Sequence, residues 1–248
     1  MIHYHGLPIT PAVAAVKAIQ GGHAFISFRH ADQLELAAQL CQSFAVDNGA
    51  FSAWKAGEPV KDWRPYYRWV ESVSKYPGFD FAVIPDTIDG SEKDNDKLLR
   101  EWPWRERFDI GAPVWHLHES LDRLHALSMK WPRVCLGSSG AYAQIGTTAW
   151  WERMDKAMGI LCDSGGRPLT RIHGLRMLDP KLVETFPFAS ADSTNIARNI
   201  GLDCRWTGGY SPGAKDVRAA ILRHRIELHN SPARYQKPPQ MTFTLETL

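Results

Sequence analysis

Cysteine is scarce and scattered in this 248-residue chain. Cys41, Cys135, Cys162 and Cys204 are far apart, so there is no CxxC pair and no zinc-ribbon spacing. Several lie in apolar runs, which predicts buried free thiols in a reducing compartment. No apolar run approaches the ~20 residues of a membrane span, and the N-terminus lacks the apolar core of a signal peptide. A cytoplasmic protein without a membrane partner is expected. Net charge is only +2, so bulk charge predicts no acidic partner, and any nucleic-acid surface must come from local clustering. Internal repeats and low-complexity segments are also missing. What the chain does have is an ordinary apolar fraction of 44%, enough for a sizeable core, and ten tryptophans, most of them expected in the core or lining a groove.

The chain alternates. Strand-like runs are Ile2 to Gly6, Ala24 to Phe28, Ser43 to Val46, Phe79 to Ile84, Pro113 to Leu117, Arg133 to Leu136, Ile172 to Met177 and Phe188 to Ala191. Each is followed by a helix-like run. Several helices carry start signals: Pro11, Asp32, Ser120, either Thr147 or Thr148, and Asp179-Pro180. Strict β-α alternation argues an α/β fold with a parallel sheet covered by helices, and eight repeats argue a (β/α)8 TIM barrel. A doubly wound open sheet is the alternative. Residues 1–229 read as one barrel domain that includes a terminal helix from Pro212 to His229. Residues 230–248, with Pro232, Pro238 and Pro239, read as an extended arm.

One stretch organises the rest: Phe188-Ala189-Ser190-Ala191-Asp192-Ser193-Thr194-Asn195. It reads as a strand, an acid, then a polar turn opening a helix. Asp192 is either a helix cap or a group at the ligand-binding edge of the sheet. Other polar residues fall at the same edge: Asp47, Asp86, His116, His118, Ser138, Ser139, His173 and Arg176. Three isolated acids on one face are costly unless used or paired. Two chemistries fit. In the first, His3 and His5 on the first strand, a His on the fifth and Asp192 form a metal-dependent hydrolase site, similar to the amidohydrolase barrels. That set is incomplete, with no His ending the sixth strand and no Lys ending the fourth. In the second, two carboxylates catalyse glycosyl transfer, one as nucleophile and one moving protons, while a third reads a purine edge.

The residues of the second set resemble the tRNA-guanine transglycosylases and their relatives that place 7-deazaguanines in DNA. The family's Asp-Ser-Gly-Gly-Phe/Tyr signature is matched by Asp47-Asn48-Gly49-Ala50-Phe51. Asp86 stands at the end of the next strand, Gly137-Ser138-Ser139-Gly140 at the glycine-rich turn, and Asp192 precedes Ser-Thr-Asn-Ile-Ala-Arg-Asn at the eighth. The resemblance spans roughly residues 40 to 200. It implies Asp192 as nucleophile, Asp47 as general acid/base, Phe51 as the stacking aromatic and Asp86 as acceptor from the base. It also implies that His118 and the Ser138, Ser139 and Gly140 backbone face the base carbonyl, that Met177 forms a stacking floor and that Arg198 contacts phosphate or braces the mouth.

The chain lacks the Cys-x-Cys-x-x-Cys…His zinc site of the tRNA enzymes, and at this length no appended RNA-binding domain is expected. These departures favour the compact DNA-modifying members, which phages and bacterial islands carry, over tRNA. A barrel without the zinc subdomain, no metal and no cofactor are expected. The partners would be a flipped-out guanine in DNA and a free 7-deazaguanine base. Candidate backbone contacts are Arg64, Arg68, Lys215 and Arg218, together with Arg29, Lys55, Lys61, Arg223 and Arg225. Trp54 and Trp63 stand beside the Asp47 loop, where they would stack bases or pack in the core. A non-catalytic nucleic-acid-binding barrel is the third reading.

Overall fold

The computed structural model describes residues 1–107, 109–201 and 212–237. Cys204 and the arm beyond residue 237 lie outside the described residues. Nine strands, all parallel, form a single sheet that curls into a nearly closed, TIM-barrel-like barrel. They are β1 (Ile2–Leu7), β2 (His23–Ser27), β3 (Ser43–Asp47), β4 (Phe79–Val83), β5 (Gly111–Ala112), β6 (Val114–His116), β7 (Arg133–Gly137), β8 (Arg171–Gly174) and β9 (Ser190–Ser193). Their order, β5-β4-β3-β2-β1-β9-β8-β7-β6, walks around the sheet in chain sequence with β9 beside β1. That order sets aside the doubly wound alternative, which needs a reversal at the sheet centre.

The expected fifth strand is divided. β5 pairs with β4 and β6 with β7, and the break falls at Pro113. Proline has no N–H to donate, so the ladder cannot run through it. The Pro113 carbonyl still accepts from Cys135 N–H at 2.9 Å. Nine pieces rather than eight strands result.

The helices are α1 (Ala12–Ile19), α2 (Leu34–Leu40), α3 (Ala50–Lys55), α4 (Arg64–Val73), α5 (Glu92–Glu101), α6 (Leu121–Lys130), α7 (Thr148–Leu161), α8 (Pro180–Thr185), α9 (Asn195–Asn199) and α10 (Lys215–Glu227). Ser120 and Asp179 cap α6 and α8 through their side chains, as their positions predict, and of the two threonines it is Thr147 that caps α7. Asp32 does not cap α2. It lies within a 3-10 turn from Phe28 to Gln33, and Gln33 precedes the helix. α3 follows β3 directly, ahead of α4. No helix among the described residues is long and apolar enough to cross a membrane.

Strand periodicity separates two apolar layers. Ala24, Ile26, Phe44, Val46, Val134 and Leu136 pack outward with the helices. Tyr4, Phe25, Ala45, Phe81, Val114 and Cys135 fill the barrel. One ion pair is set among the inward residues. Arg133 donates twice to Asp80, at 2.8 and 3.1 Å, and its guanidinium rests 4.0 Å above the Phe81 ring. Tyr4 donates to the same carboxylate at 2.5 Å. Burial pushes the Asp80 pKa up, but Arg133 and Tyr4 outweigh it and hold it below the ordinary value. Arg133→Ala leaves that half-buried carboxylate without its cation, and is expected to cost ~2–3 kcal/mol in urea denaturation. A loss below about 1 kcal/mol would show that the pair is idle.

The last helix closes the N-terminal side. α10 lies against α1, and Arg223 donates to the Gln20 carbonyl at 2.7 Å. The chain then runs along α7, where the Tyr235 hydroxyl donates to Asp155 at 2.9 Å.

Candidate active site

The C-terminal ends of the strands bring three carboxylates together. On β3 the alternation that turns Ala45 inward also turns Asp47 inward. Asp86 follows β4 by three residues and is buried. Asp192 lies inside β9, in register with Tyr4 of β1. β9 runs two residues beyond the expected strand end, and this decides the orientation of Asp192. Its carboxylate turns into the barrel and is 4% exposed. It does not cap α9. The residue before α9 is Thr194, and the Asn195 N–H is taken by the Ser193 hydroxyl oxygen at 2.9 Å.

Two donors hold Asp192, both on Oδ1. The Arg176 backbone N–H lies at 2.9 Å and His173 Nε2 at 3.3 Å. His173 is fully buried, stacked on Phe25 at 5.3 Å and edge-on to Phe81 at 5.2 Å. This burial lowers its pKa despite the opposing pull of Asp192, so the ring is neutral near pH 7. Its Nδ1 lies 2.8 Å from Ser190 Oγ. A neutral ring satisfies both contacts when Nε2–H donates to Asp192 and Nδ1 accepts from the Ser190 hydroxyl, a tautomer assigned from the network. No described residue donates to Asp192 Oδ2. One oxygen is tethered, and the other carries no bond from a described residue.

Asp86 is held from two sides. Asn48 Nδ2 donates to Oδ1 at 2.7 Å, and His116 Nε2 lies 2.8 Å from Oδ2. Each oxygen keeps a second lone pair for a ligand donor. Gly137 makes room for the imidazole, because a Cβ there would come within 3.2 Å of His116 Nδ1. A buried brace fixes this strand end. Glu119 accepts from the His116 backbone N–H at 2.9 Å, from Asn95 at 2.8 Å and from Arg123 at 2.6 Å. In sequence Glu119 marks only a strand end. Its i,i+4 relation to Arg123 is the one available sign of the brace.

Asp47 is the perturbed member. Burial, then the carboxylates of Asp86 and Asp192, push its pKa up to about 7, while a 3.0 Å bond from Gly49 N–H opposes them. Gly49 has φ +79°, the left-handed region that favours glycine, and starts α3. Asn48 Oδ1 accepts from Ala50 N–H at 2.7 Å. The turn thus presents Asp47 to the barrel and places half-buried Phe51 on the rim. The Arg176 guanidinium covers the Phe51 ring at 4.2 Å, from a residue that is itself left-handed at φ +60°.

The remaining expected residues divide. Exposed His118 contacts Ser139 Oγ at 2.7 Å, beside Gly140. Ser138 Oγ accepts from Trp150 Nε1 at 2.9 Å and so anchors α7. Met177 is fully buried in the apolar layer between barrel and helices. Arg64 is bound to Asp62, and Arg218 donates to the carbonyls of Pro212 and Ile200. Arg68, Arg198 and Lys215 are exposed. Trp63 is buried, whereas Trp54 is exposed and 5.7 Å from Phe51. His3 and His5 point the wrong way for the hydrolase reading. They reach His229 O at 2.7 Å and Glu227 Oε1 at 3.0 Å, on the α10 side of the sheet. Among the described residues no group of three or more His, Cys, Asp and Glu is arranged to hold a metal.

No protein-family profile, curated protein or solved structure matches this chain.

In sequence, His173 and Arg176 stand out only as polar residues at this edge, without roles, and Ser190 does not stand out at all. Small and apolar-flanked, Ser190 looks like strand filler. On the two-carboxylate reading, Ser190→Ala is expected to lower turnover about tenfold with KM unchanged, because it frees the His173 ring that orients Asp192. A steady-state comparison checks this. An equal rise in KM would assign Ser190 to substrate binding instead.

Proposed function

We propose that this barrel is a base-exchange transglycosylase that replaces guanine in DNA by a 7-deazaguanine. The observation that carries the reading is the divergence of two neighbouring carboxylates. Asp192 has one oxygen tethered by two donors, while Asp47 is pushed up to about 7. Paired carboxylates in such different environments are what nucleophile-plus-acid/base chemistry at a sugar carbon requires.

In this reading Asp192 Oδ2 attacks the C1′ carbon and the C1′–N9 bond breaks. The departing guanine takes the proton from Asp47. A 7-deazaguanine then enters, gives its N9 proton back to Asp47, and its N9 displaces Asp192 from C1′. One proton leaves Asp47 and one returns, so a pKa near neutrality serves both halves. Asp86, with Asn48 and His116 behind it, accepts from the amino and ring N–H groups of the base. Phe51 provides the stacking face once Arg176 moves aside. A duplex base must be flipped out to reach this mouth.

The test is mass analysis of nucleosides from DNA and from tRNA after incubation with the protein and a panel of 7-deazaguanine bases. The expected product is a 7-deazaguanine deoxynucleoside in DNA. Incorporation only into tRNA would shift the reading to the RNA enzymes, and incorporation into neither would contradict it.

A further inference from the structure

At the end of β9, beside Arg176 and the residue that follows Asp192, lies a cavity of about 340 Å³. Its polar wall is Arg176, Lys181, Ser193, Asn195 and Asp179, and Trp151 forms part of its apolar side. The two cations rest on rings, Arg176 on Phe51 and Lys181 on Trp151, with Lys181 Nζ 5.2 Å from the ring centre. Neither forms an ion pair with a described carboxylate. Asp179 is the one acid on the wall, and its Oδ1 accepts the Lys181 backbone N–H at 3.0 Å.

The neutral groups add donors. Asn195 Oδ1 is taken by Asn199 at 2.9 Å, so its NH2 remains to donate. Ser193 Oγ accepts from Asn195 N–H, so its hydroxyl hydrogen remains as well. Lys181 and two neutral donors thus line one space, and Arg176, whose guanidinium lies over Phe51, borders that space and joins it to Asp192 through its backbone N–H. Such a wall suits an anion with several acceptor oxygens, and a guanidinium matches phosphate oxygens in pairs.

We propose that this cavity holds the phosphodiester flanking the nucleotide under attack. The inference rests on the base-exchange reading for which nucleotide lies at Asp192. It also gives Arg176 a destination: leaving Phe51 to admit the base, the guanidinium turns to the phosphate.

Fluorescence anisotropy tests this with a labelled single-stranded oligodeoxynucleotide carrying an abasic site, titrated at several salt concentrations. Wild type, Lys181→Ala, Asn195→Ala and Lys130→Ala are compared. Lys130 is exposed at the last turn of α6, at the opposite end of the barrel. Losing one phosphate contact flattens the slope of log K against log salt by about 0.7 on a single strand. Lys181→Ala is expected to show that change with roughly fivefold weaker binding at low salt. Asn195→Ala is expected to weaken binding at unchanged slope, and Lys130→Ala to match wild type. The same loss on an abasic RNA strand would support phosphate as the recognised group. Binding by Lys181→Ala equal to wild type on both polymers, an equal loss in Lys130→Ala, or no binding by wild type would overturn the proposal. A Lys181 effect without any base exchange would sink the enzyme reading and leave the phosphate site standing.

Discussion

Asp192→Asn is expected to abolish base exchange, with a rate loss of at least about 10⁴-fold, while the protein stays folded. The amide oxygen can still accept from Arg176 N–H and His173 Nε2, so the tethering geometry survives the change. What is lost is a nucleophilic oxygen, since an amide does not attack a sugar carbon under these conditions. The circular dichroism spectrum and melting temperature should therefore stay near wild type. Retained exchange in this variant would show that Asp192 is structural. A collapsed fold would show that its charge holds β8 and β9 together, and the paired Ser190→Ala variant would then separate orientation from folding.

The second large effect is on stability and has an unusual sign. Asp47→Asn is expected to stop exchange and to raise the melting temperature at pH 8. The folded-state pKa of Asp47 is about 7, above the ordinary aspartate value of 3.8 that the unfolded chain keeps. Between those two values the folded protein holds a proton that the unfolded chain has released, so the wild type loses stability as pH rises through this window. Above pH 7 the loss is complete and amounts to a few kcal/mol, since each tenfold change in proton affinity is worth about 1.4 kcal/mol. Asparagine has no charge to bury and keeps an oxygen for Gly49 N–H. The variant should gain about 5–10 °C at pH 8, and the gain should vanish near pH 4. Calorimetry at pH 4, 6 and 8 checks it. A gain independent of pH would mean that the carboxylate is not perturbed as the site requires.

Much of this architecture was legible because each β-α repeat carries its own punctuation. Ser120, Thr147 and Asp179-Pro180 announce helices that begin where expected. Asp47, Asp86 and Asp192 were visible as acids at strand ends. Side-chain parity was not visible. On β1, Tyr4 fills the barrel, while His3 and His5 face the α10 side. One residue of register would reverse this, and nothing local in an alternating His-Tyr-His run chooses between the two. For Asp192 the same question turned on how far β9 extends. The braces were hidden for another reason. Glu119, Asn95 and Arg123 meet across separate elements, and only the closed sheet brings them together. Pro113 looks in sequence like the start of a strand. The two residues before it pair with β4, a contact decided by barrel closure and not by local propensity.

Base exchange by this route requires a covalent bond between Asp192 and the sugar. Its most direct test is to trap the protein with guanine-containing DNA in the absence of any replacement base, denature it, and map the adduct by peptide mass. The expected result is a deoxyribose–oligonucleotide mass on the peptide containing Asp192, discharged when a 7-deazaguanine is added before denaturation. An adduct on another residue, or exchange proceeding with none, would contradict it.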